Sequence, residues 1–216
     1  MTVLTTRDYG GAYMTVSEVA AELACSEPTV RRRIRDGSLP AVLAVLERTP
    51  TFISSCRERW PQAGGCAPSD PEEWGRLAGE VAAHARGTIH HWQIRNEPDL
   101  DTRFDGPPQE YARMLGLAHR HIKARVPEAT IVLGGLLRSP NEGWLELFFA
   151  AAGPDAARSF DVATVHVRGR LAVVVGQLRA VRAAFARYGF VGPFWVTEHA
   201  YPADPVYQPE PRLRQR

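Results

Sequence analysis

The feature that most constrains this fold is the regular alternation of short apolar runs with helical patterns after residue 41. Five runs rich in Val, Ile, Leu or aromatic residues have the length and composition of buried parallel strands. They lie at 41–47, 89–95, 130–136, 161–167 and 194–198. Between them, a Ser-Asp-Pro-Glu-Glu helix start occupies 69–73, and apolar residues recur every three or four positions before Pro127 and before Gly189. This alternation predicts an α/β chain with a parallel sheet and right-handed crossovers.

The first 41 residues have a different pattern, which predicts two short helices. Residues 15–18 have the Thr-x-x-Glu form of a capping box, so Thr15 is expected to begin the first helix. Ser26, followed by Pro28, is expected to begin the second helix, and Gly37 is expected to end it. Two short helices joined in this way form a helix-turn-helix.

Residues 14–42 resemble the helix-turn-helix of excisionase-like and MerR-like DNA-binding domains. The resemblance implies that the second helix enters the major groove, where Arg side chains can read guanine edges or hold phosphates. The residues that it places toward DNA are Glu27, Thr29, Arg31, Arg32 and Arg35. The alternative is a solvated helix face, since the acidic residues of the segment balance its arginines. DNA is thus a candidate partner through residues 15–37.

Two glutamates follow strand-like runs at positions where chemistry is expected. Glu97 comes directly after the run at 89–95, in an Asn-Glu-Pro triplet, and Glu198 ends the run at 194–198. The carboxyl ends of parallel strands meet at one edge of the sheet, where the loops are free to vary. A pair of carboxylates at such an edge is what cleavage of a glycosidic bond requires.

Residues 41–202 resemble the clan of retaining glycoside hydrolases built on a (β/α)8 barrel, including its cellulase-like, xylosidase-like and arabinofuranosidase-like members. The matching motifs are Asn96-Glu97-Pro98 and Thr197-Glu198, together with His166 on the run at 161–167. The resemblance implies that Glu97 is the acid/base and Glu198 the nucleophile. It also implies that Asn96 hydrogen-bonds a sugar 2-hydroxyl and that His166 lines the subsite, so an oligosaccharide, polysaccharide or glycoside is the expected substrate.

The same resemblance implies an incomplete barrel. The five runs correspond to strands three to seven of the family's eight, which predicts a partial TIM (β/α)8 barrel at 42–202, between a helix-turn-helix at 1–41 and a loose tail at 203–216. Catalysis is expected to be impaired unless a second chain or a second copy completes the barrel. An open cleft is also expected to return the pKa of Glu97 to about 4.3, whereas a working acid needs a raised pKa.

Other candidate site residues rest on weaker patterns. Trp60 follows the first run and is a candidate for stacking on a pyranose ring, and Tyr201, just after the last run, is a further substrate-binding candidate. His166, Glu198 and His199 are metal-binding residue types, but no ligand-spacing motif accompanies them. The sequence therefore predicts no metal and no cofactor.

Composition excludes some classes of protein. The net charge of +2 gives no global argument for nucleic acid or membrane binding, and no apolar run approaches the roughly 20 residues of a membrane span. Residues 1–13 lack the pattern of a signal peptide, so a cytoplasmic location is expected. Cys56 and Cys66 bracket a loop and could pair, but that location favours free thiols.

Overall fold

The computed structural model describes residues 2–3, 14–15, 26, 28–29, 32, 43–59, 62–137, 142–169 and 171–200. Its strands are β1 (Thr2–Val3), β2 (Met14–Thr15), β3 (Leu43–Leu46), β4 (His91–Ile94), β5 (Thr130–Leu133), β6 (Ala163–Arg168) and β7 (Phe194–Ala200). Its helices are α1 (Pro71–His84), α2 (Pro108–Arg125), α3 (Glu142–Ala152) and α4 (Leu171–Ala186).

Five parallel strands follow one another in chain order. β3, β4 and β5 pair in register within a sheet of order β2-β1-β3-β4-β5, and β6 pairs with β7 in a second sheet. Parallel bridges from Val132 to Val162 and from Leu136 to Val165 connect the two sheets. All five strands lie within or overlap the apolar runs of the sequence, and the predicted mixed α/β chain with parallel sheets is confirmed.

The parallel strands curl so that the first and the last share one core. Leu43 of β3 clusters with Val132 and Val162, and Trp195 of β7 packs against this cluster. The ring of Trp195 also lies 5.3 Å from that of His91. This side of the sheet is concave, and the helices cover the other side.

The helices begin where the sequence indicates and bury the predicted faces. Asp70 caps α1 by accepting a hydrogen bond from the amide of Glu72 (2.9 Å), and Pro71 occupies the first turn. On α2 the predicted residues of the apolar repeat are buried: Tyr111, Met114, Leu115, Ala118 and Ile122. The two helices pack closely because Gly79 has no Cβ. A Cβ at this position would lie only 2.9 Å from the carbonyl oxygen of His121. Within the described ranges, no helix has both the length and the hydropathy needed to cross a bilayer.

The helix α3 was not predicted. Its sequence from Leu145 onward is almost continuously apolar, so no period distinguishes a helix from a buried strand. Phe148 is fully buried and stacks on Trp144 at 5.3 Å, and Phe149 stacks on Tyr188 at 4.5 Å. The ring of Tyr111 in α2 lies 5.8 Å from the rings of both Trp144 and Phe148, so aromatic contacts join α3 to α2 and to the segment directly after α4.

The N-terminal segment contributes two short strands that the sequence did not predict. β1 pairs antiparallel with both β2 and β3, so Thr15 has extended backbone, which is also the usual backbone of a helix N-cap. Thr and Val are β-branched and favour extended backbone, and the edge of β3 offers them hydrogen-bonding partners. Residues 28–29 and 32 have helical backbone and fall within the second predicted helix. Apart from residues 14–15 and Ser26, the rest of the predicted motif lies outside the described residues, so the helix-turn-helix stays a prediction.

A disulfide joins Cys56 to Cys66, so the expectation of free thiols is wrong for this pair. Short 3-10 turns at Thr51–Ile53, Arg57–Arg59 and Gln62–Gly65 fold the segment back on itself. Ser55 then donates its amide to the carbonyl of Ala67 at 3.0 Å, and the two cysteine Cα atoms lie 6.2 Å apart. This spacing falls within the range that a disulfide spans. Cys25 lies outside the described residues.

Candidate active site

The backbone turns sharply where β4 ends. Arg95 and Glu97 both adopt positive φ angles, 66° and 49°, which non-glycine residues seldom do. Two amide hydrogen bonds hold the turn: Arg95 donates to the carbonyl of Leu46 at 2.9 Å, and Glu97 donates to that of Gly135 at 3.0 Å. Strand β3 and the segment directly after β5 therefore fix the conformation that presents Glu97 at the edge of the sheet.

Arg95 lies beneath this turn with its side chain fully buried. Its guanidinium donates to the carbonyls of Gly64 (3.0 Å), Gly65 (2.7 Å) and Arg103 (3.0 Å) and lies 4.8 Å from the ring centre of Phe104. Burial lowers the pKa of Arg95 to about 10, so the group remains cationic at neutral pH. Sequence reasoning missed this residue, although an arginine at the end of a buried strand was the available signal.

Glu97, His166 and Glu198 meet at the concave edge. Nδ1 of His166 lies 3.0 Å from Oε1 of Glu97 and 3.4 Å from Oε2 of Glu198. One oxygen of each carboxylate and the histidine nitrogen all lie within 4.8 Å of one another. The side chains of His166 and Glu97 are 2% and 6% exposed, and that of Glu198 is 29% exposed. A buried imidazole therefore contacts both glutamates.

A β-bulge brings Glu198 to this edge. Val165 of β6 pairs with Val196, but His166 pairs with Glu198, so Thr197 is an extra residue in β7. Trp195 faces the concave core, and strict alternation from it would direct Glu198 to the opposite face. The extra residue reverses the alternation, as a bulge does, and places Glu198 beside His166.

Gly135 makes room for the imidazole. A Cβ at this position would overlap Nε2 of His166, and Cδ2 and Cε1 of the ring would lie 2.7 and 2.9 Å from it. Since heavy atoms do not approach so closely, only glycine permits this histidine position. Gly135 thus shapes the site through the absence of a side chain.

Arg103, which sequence reasoning also missed, forms an ion pair with Glu97. Its Nε lies 3.2 Å from Oε2 of Glu97, and its Nη1 lies 3.9 Å from Oε1 of Glu47. The Arg103 side chain is 51% exposed, so it stands at the mouth of the site. It lies in the loop between β4 and α2, where no pattern in the sequence indicates which residue turns inward.

These contacts set the charge state of Glu97. The hydrogen bond from His166 holds the pKa of Glu97 below its usual range against the opposing effect of burial, and the charges of His166, Arg103 and Arg168 add to the lowering. The expectation that an open cleft returns the pKa to its ordinary value is therefore wrong. The cause is that cationic and hydrogen-bonding neighbours, and not solvent, dominate around this carboxylate.

Asn96 lies within the same turn and is buried. Its Oδ1 accepts a hydrogen bond of 3.1 Å from Nε2 of Gln93, which also donates to the carbonyl of Arg95 at 3.0 Å. With Oδ1 engaged, Nδ2 is the donor that the Asn96 side chain offers. Trp60 and Tyr201, the other predicted substrate-binding residues, lie outside the described residues.

The cluster also contains the donor atoms of a cation site. Glu97, His166 and Glu198 each offer one ligand atom, whereas His199 instead places Nε2 3.2 Å from the carbonyl of Gly169. The guanidinium of Arg103 already compensates the charge of Glu97, which weakens the attraction of the cluster for a metal ion. The arrangement is therefore better suited to acid–base chemistry than to metal binding.

The predicted DNA-contacting residues are only partly described. Arg32 is exposed, and the hydroxyl of Thr29 lies 3.0 Å from that of Ser26. Glu27, Arg31 and Arg35 lie outside the described residues. DNA binding stays a prediction.

Comparison with solved structures identifies proteins of similar fold. The chain is similar to a beta-xylosidase from Caulobacter crescentus CB15, at 17% identity and a TM-score of 0.63, over 94% of this chain and 44% of that one. A glucosidase from Croceicoccus marinus matches at 18% identity and a TM-score of 0.56, over 69% of this chain and 34% of that one. Fungal beta-1,4-galactanases match at 16% identity and a TM-score of 0.55, over 90% of this chain and 59% of that one.

Sequence comparison adds no closer relationship. No protein-family model matches the chain, and no curated protein sequence does. The structural neighbours are glycoside hydrolases, and the identities are low enough that the likeness concerns the fold alone. The chain thus has a mixed α/β, glycosidase-like fold that spans between 34% and 59% of the length of these proteins.

Proposed function

We propose that the concave edge of the sheet holds a retaining O-glycosidase site, with Glu97 as acid/base and Glu198 as nucleophile. The observation that carries the proposal is that oxygens of the two carboxylates lie within 4.8 Å of each other. Retaining enzymes place the two carboxyl groups about 5–5.5 Å apart, whereas inverting enzymes need about 6.5–9.5 Å to admit a water. The short separation favours direct attack by Glu198.

The proposed reaction is a double displacement. The Glu198 carboxylate attacks the anomeric carbon while Glu97 gives its proton to the leaving oxygen, which breaks the glycosidic bond and forms a glycosyl ester. Glu97, now ionised, takes a proton from water, and the resulting hydroxide attacks the anomeric carbon and releases Glu198. Since only side chains take part, we expect the rate to be unchanged in EDTA.

Neighbouring residues support these roles. His166 contacts both carboxylates and would hold their separation, while Asn96 offers an amide donor for a sugar 2-hydroxyl. Trp60 and Tyr201 are proposed to contact the sugar. The fold neighbours suggest glucosides, xylosides and galactosides as substrates to be tested first.

We also propose that the parallel strands β3 to β7 correspond to strands three to seven of a (β/α)8 barrel. Their order, their curl around Leu43 and Trp195 and the glycosidase-like fold support this correspondence. A second chain or a second copy could supply the remaining strands.

Turnover by the chain is proposed to be weak. The acid step needs Glu97 to be protonated, and the contacts with His166 and Arg103 hold its pKa below the ordinary range. At neutral pH almost all of the protein would then carry an ionised Glu97, which cannot donate a proton.

The test is hydrolysis of aryl β-glucosides, β-xylosides, β-galactosides and arabinosides by the purified chain. Glu97→Gln and Glu198→Gln should each abolish any turnover, and Glu146→Gln, an exposed residue of α3, is the control. Azide should rescue Glu97→Ala as a β-glycosyl azide and Glu198→Ala as an α-glycosyl azide, because it replaces water in the first case and the nucleophile in the second. Turnover that survives in both Gln variants would contradict the proposal.

A further inference from the structure

Arg103 occupies a position that conflicts with the acid role of Glu97. Its Nε lies 3.2 Å from Oε2 of the carboxylate that must carry a proton during the proposed reaction. A cation at this distance stabilises the ionised form of the carboxyl group. Arg103 must therefore move or be neutralised before Glu97 can act as an acid.

The surroundings of Arg103 allow it to move. Its side chain is 51% exposed, whereas that of Glu97 is 6% exposed, so only the carboxylate is fixed by packing. The second anion near Arg103 is Glu47, and the 3.9 Å between Nη1 and Oε1 is too long for a hydrogen bond. The terminal nitrogens of the guanidinium can thus donate hydrogen bonds to a new anionic partner that approaches from the solvent side.

A second arginine stands on the same rim. Arg168 is exposed at the carboxyl end of β6, two residues after His166, and its charge acts on Glu97. Two exposed or half-exposed arginines, Arg103 and Arg168, therefore act on the carboxylate of Glu97. Such a rim favours a ligand with an anionic substituent over a neutral one.

We propose that the site takes a sugar with an anionic substituent, a carboxylate or a sulfate, which binds Arg103 and draws it from Glu97. The inference rests on the proposed glycosidase function and specifies its substrate class. Arginine suits this task because its planar guanidinium binds carboxylates and sulfates through paired hydrogen bonds. The substrate would thereby remove one of the charges that keep Glu97 ionised.

Binding to the full chain tests the proposal without turnover. Phenyl β-D-glucuronide, phenyl 6-sulfo-β-D-glucoside and phenyl β-D-glucoside should be compared by titration calorimetry at low salt. We expect the better anionic ligand to bind about 1.5- to fivefold more tightly than the neutral one, the range for a half-exposed ion pair. The two anionic ligands distinguish a uronic acid from a sulfated sugar.

Variants assign the preference to Arg103. Arg103→Gln should lose most of the preference and keep at most the part that Arg168 contributes. Arg103→Lys should retain an intermediate preference, and Arg120→Gln, in an ion pair with Glu72 outside the site, should retain all of it. The ¹⁵N–¹H resonance of Arg103 Nε should shift with the anionic glycoside and not with the neutral one, a readout that loss of folding cannot imitate.

The outcomes separate the inference from the proposed function. Equal binding of all three glycosides by the natural chain, or an undiminished preference in Arg103→Gln, would overturn the inference and leave the glycosidase site standing. Binding of none of the three would overturn both.

Discussion

His166 and Glu97 are joined by a contact of 3.0 Å between Nδ1 and Oε1, although 69 positions separate them in the chain. The contact links β6 to the turn after β4, and both side chains are buried. It is also the largest cause of the lowered pKa of Glu97. Two predictions about pH follow from this pair.

The first concerns stability in acid. The pKa of Glu97 is lower in the folded chain than in the unfolded chain, where it is about 4.3. Its stabilising contribution is therefore fully present above about pH 4.3 and is lost as the pH falls through the lower, folded-state value. Thermal unfolding between pH 7 and pH 3 should show a shallower loss of Tm in Glu97→Gln than in the natural chain. Equal slopes would contradict this assignment, and Glu146→Gln is the control.

The second concerns the pH profile of any turnover. Because Glu97 must be protonated to act as an acid, kcat/KM should decline as the pH rises through its low pKa, and hydrolysis should be fastest in acid. Arg103→Gln removes one of the charges that lower this pKa, so the declining limb should move to higher pH. A limb that does not move would show that Arg103 has no influence on the reacting acid.

Replacement of Gly135 is expected to lower the free energy of unfolding. Gly135→Ala should destabilise the fold by about 1–3 kcal/mol, because the new Cβ overlaps the buried His166 ring. Gly176→Ala is the matched control: this glycine is exposed within α4 with open space around it, so alanine should stabilise by about 0.5–1 kcal/mol. Urea denaturation measures both, and two changes of the same sign would contradict the packing described at Gly135.

The buried side chain of Arg95 is expected to contribute strongly to the stability of the fold. Arg95→Met deprives the carbonyls of Gly64, Gly65 and Arg103 of their common donor, and we expect a loss of at least about 2 kcal/mol. Arg113→Met, at an exposed position of α2, should change the free energy of unfolding by less than about 0.5 kcal/mol. Similar losses in both variants would refute the bridging role of Arg95.

The Cys56–Cys66 disulfide is expected to stabilise the segment whose carbonyl groups bind Arg95. Cys66 directly follows Gly64 and Gly65, and the bond closes a loop with a sequence separation of 10. Loop-closure entropy for this length corresponds to about 2–3 kcal/mol. Unfolding with and without reductant, together with Cys56→Ser, measures the contribution; Cys25→Ser should leave the free energy of unfolding unchanged if the Cys56–Cys66 bond accounts for the effect.

Part of this structure follows from sequence patterns. The runs at 89–95 and 161–167 are short and contain several Ile, Val or Trp residues, which is typical of buried parallel strands, and the carboxyl ends of such strands meet at one edge. That is why Glu97 and Glu198 could be named before their contacts were known, whereas His166 was named from the family resemblance. The capping residue Asp70 and the repeat through Tyr111 predicted two helices for equally local reasons.

The rest depends on distances that no local pattern contains. Arg103 lies in an irregular loop, and its contact with Glu97 arises only from the path of that loop, which the carbonyl of Arg103 helps to fix by binding Arg95. The direction in which the pKa of Glu97 shifts follows from such contacts and could not be predicted from the Asn-Glu-Pro motif. The disulfide likewise depends on how three short turns fold back.

The bulge at Thr197 separates the residue spacing in the sequence from the geometry of the site. In a regular strand, a glutamate two residues after Trp195 would pair opposite His166 and face the concave core. Here the glutamate follows three residues after Trp195, and the extra residue gives it the same position. A related chain without the bulge can therefore hold its carboxylate beside the histidine with a spacing one residue shorter. A search for this glutamate in relatives should allow both spacings from the tryptophan.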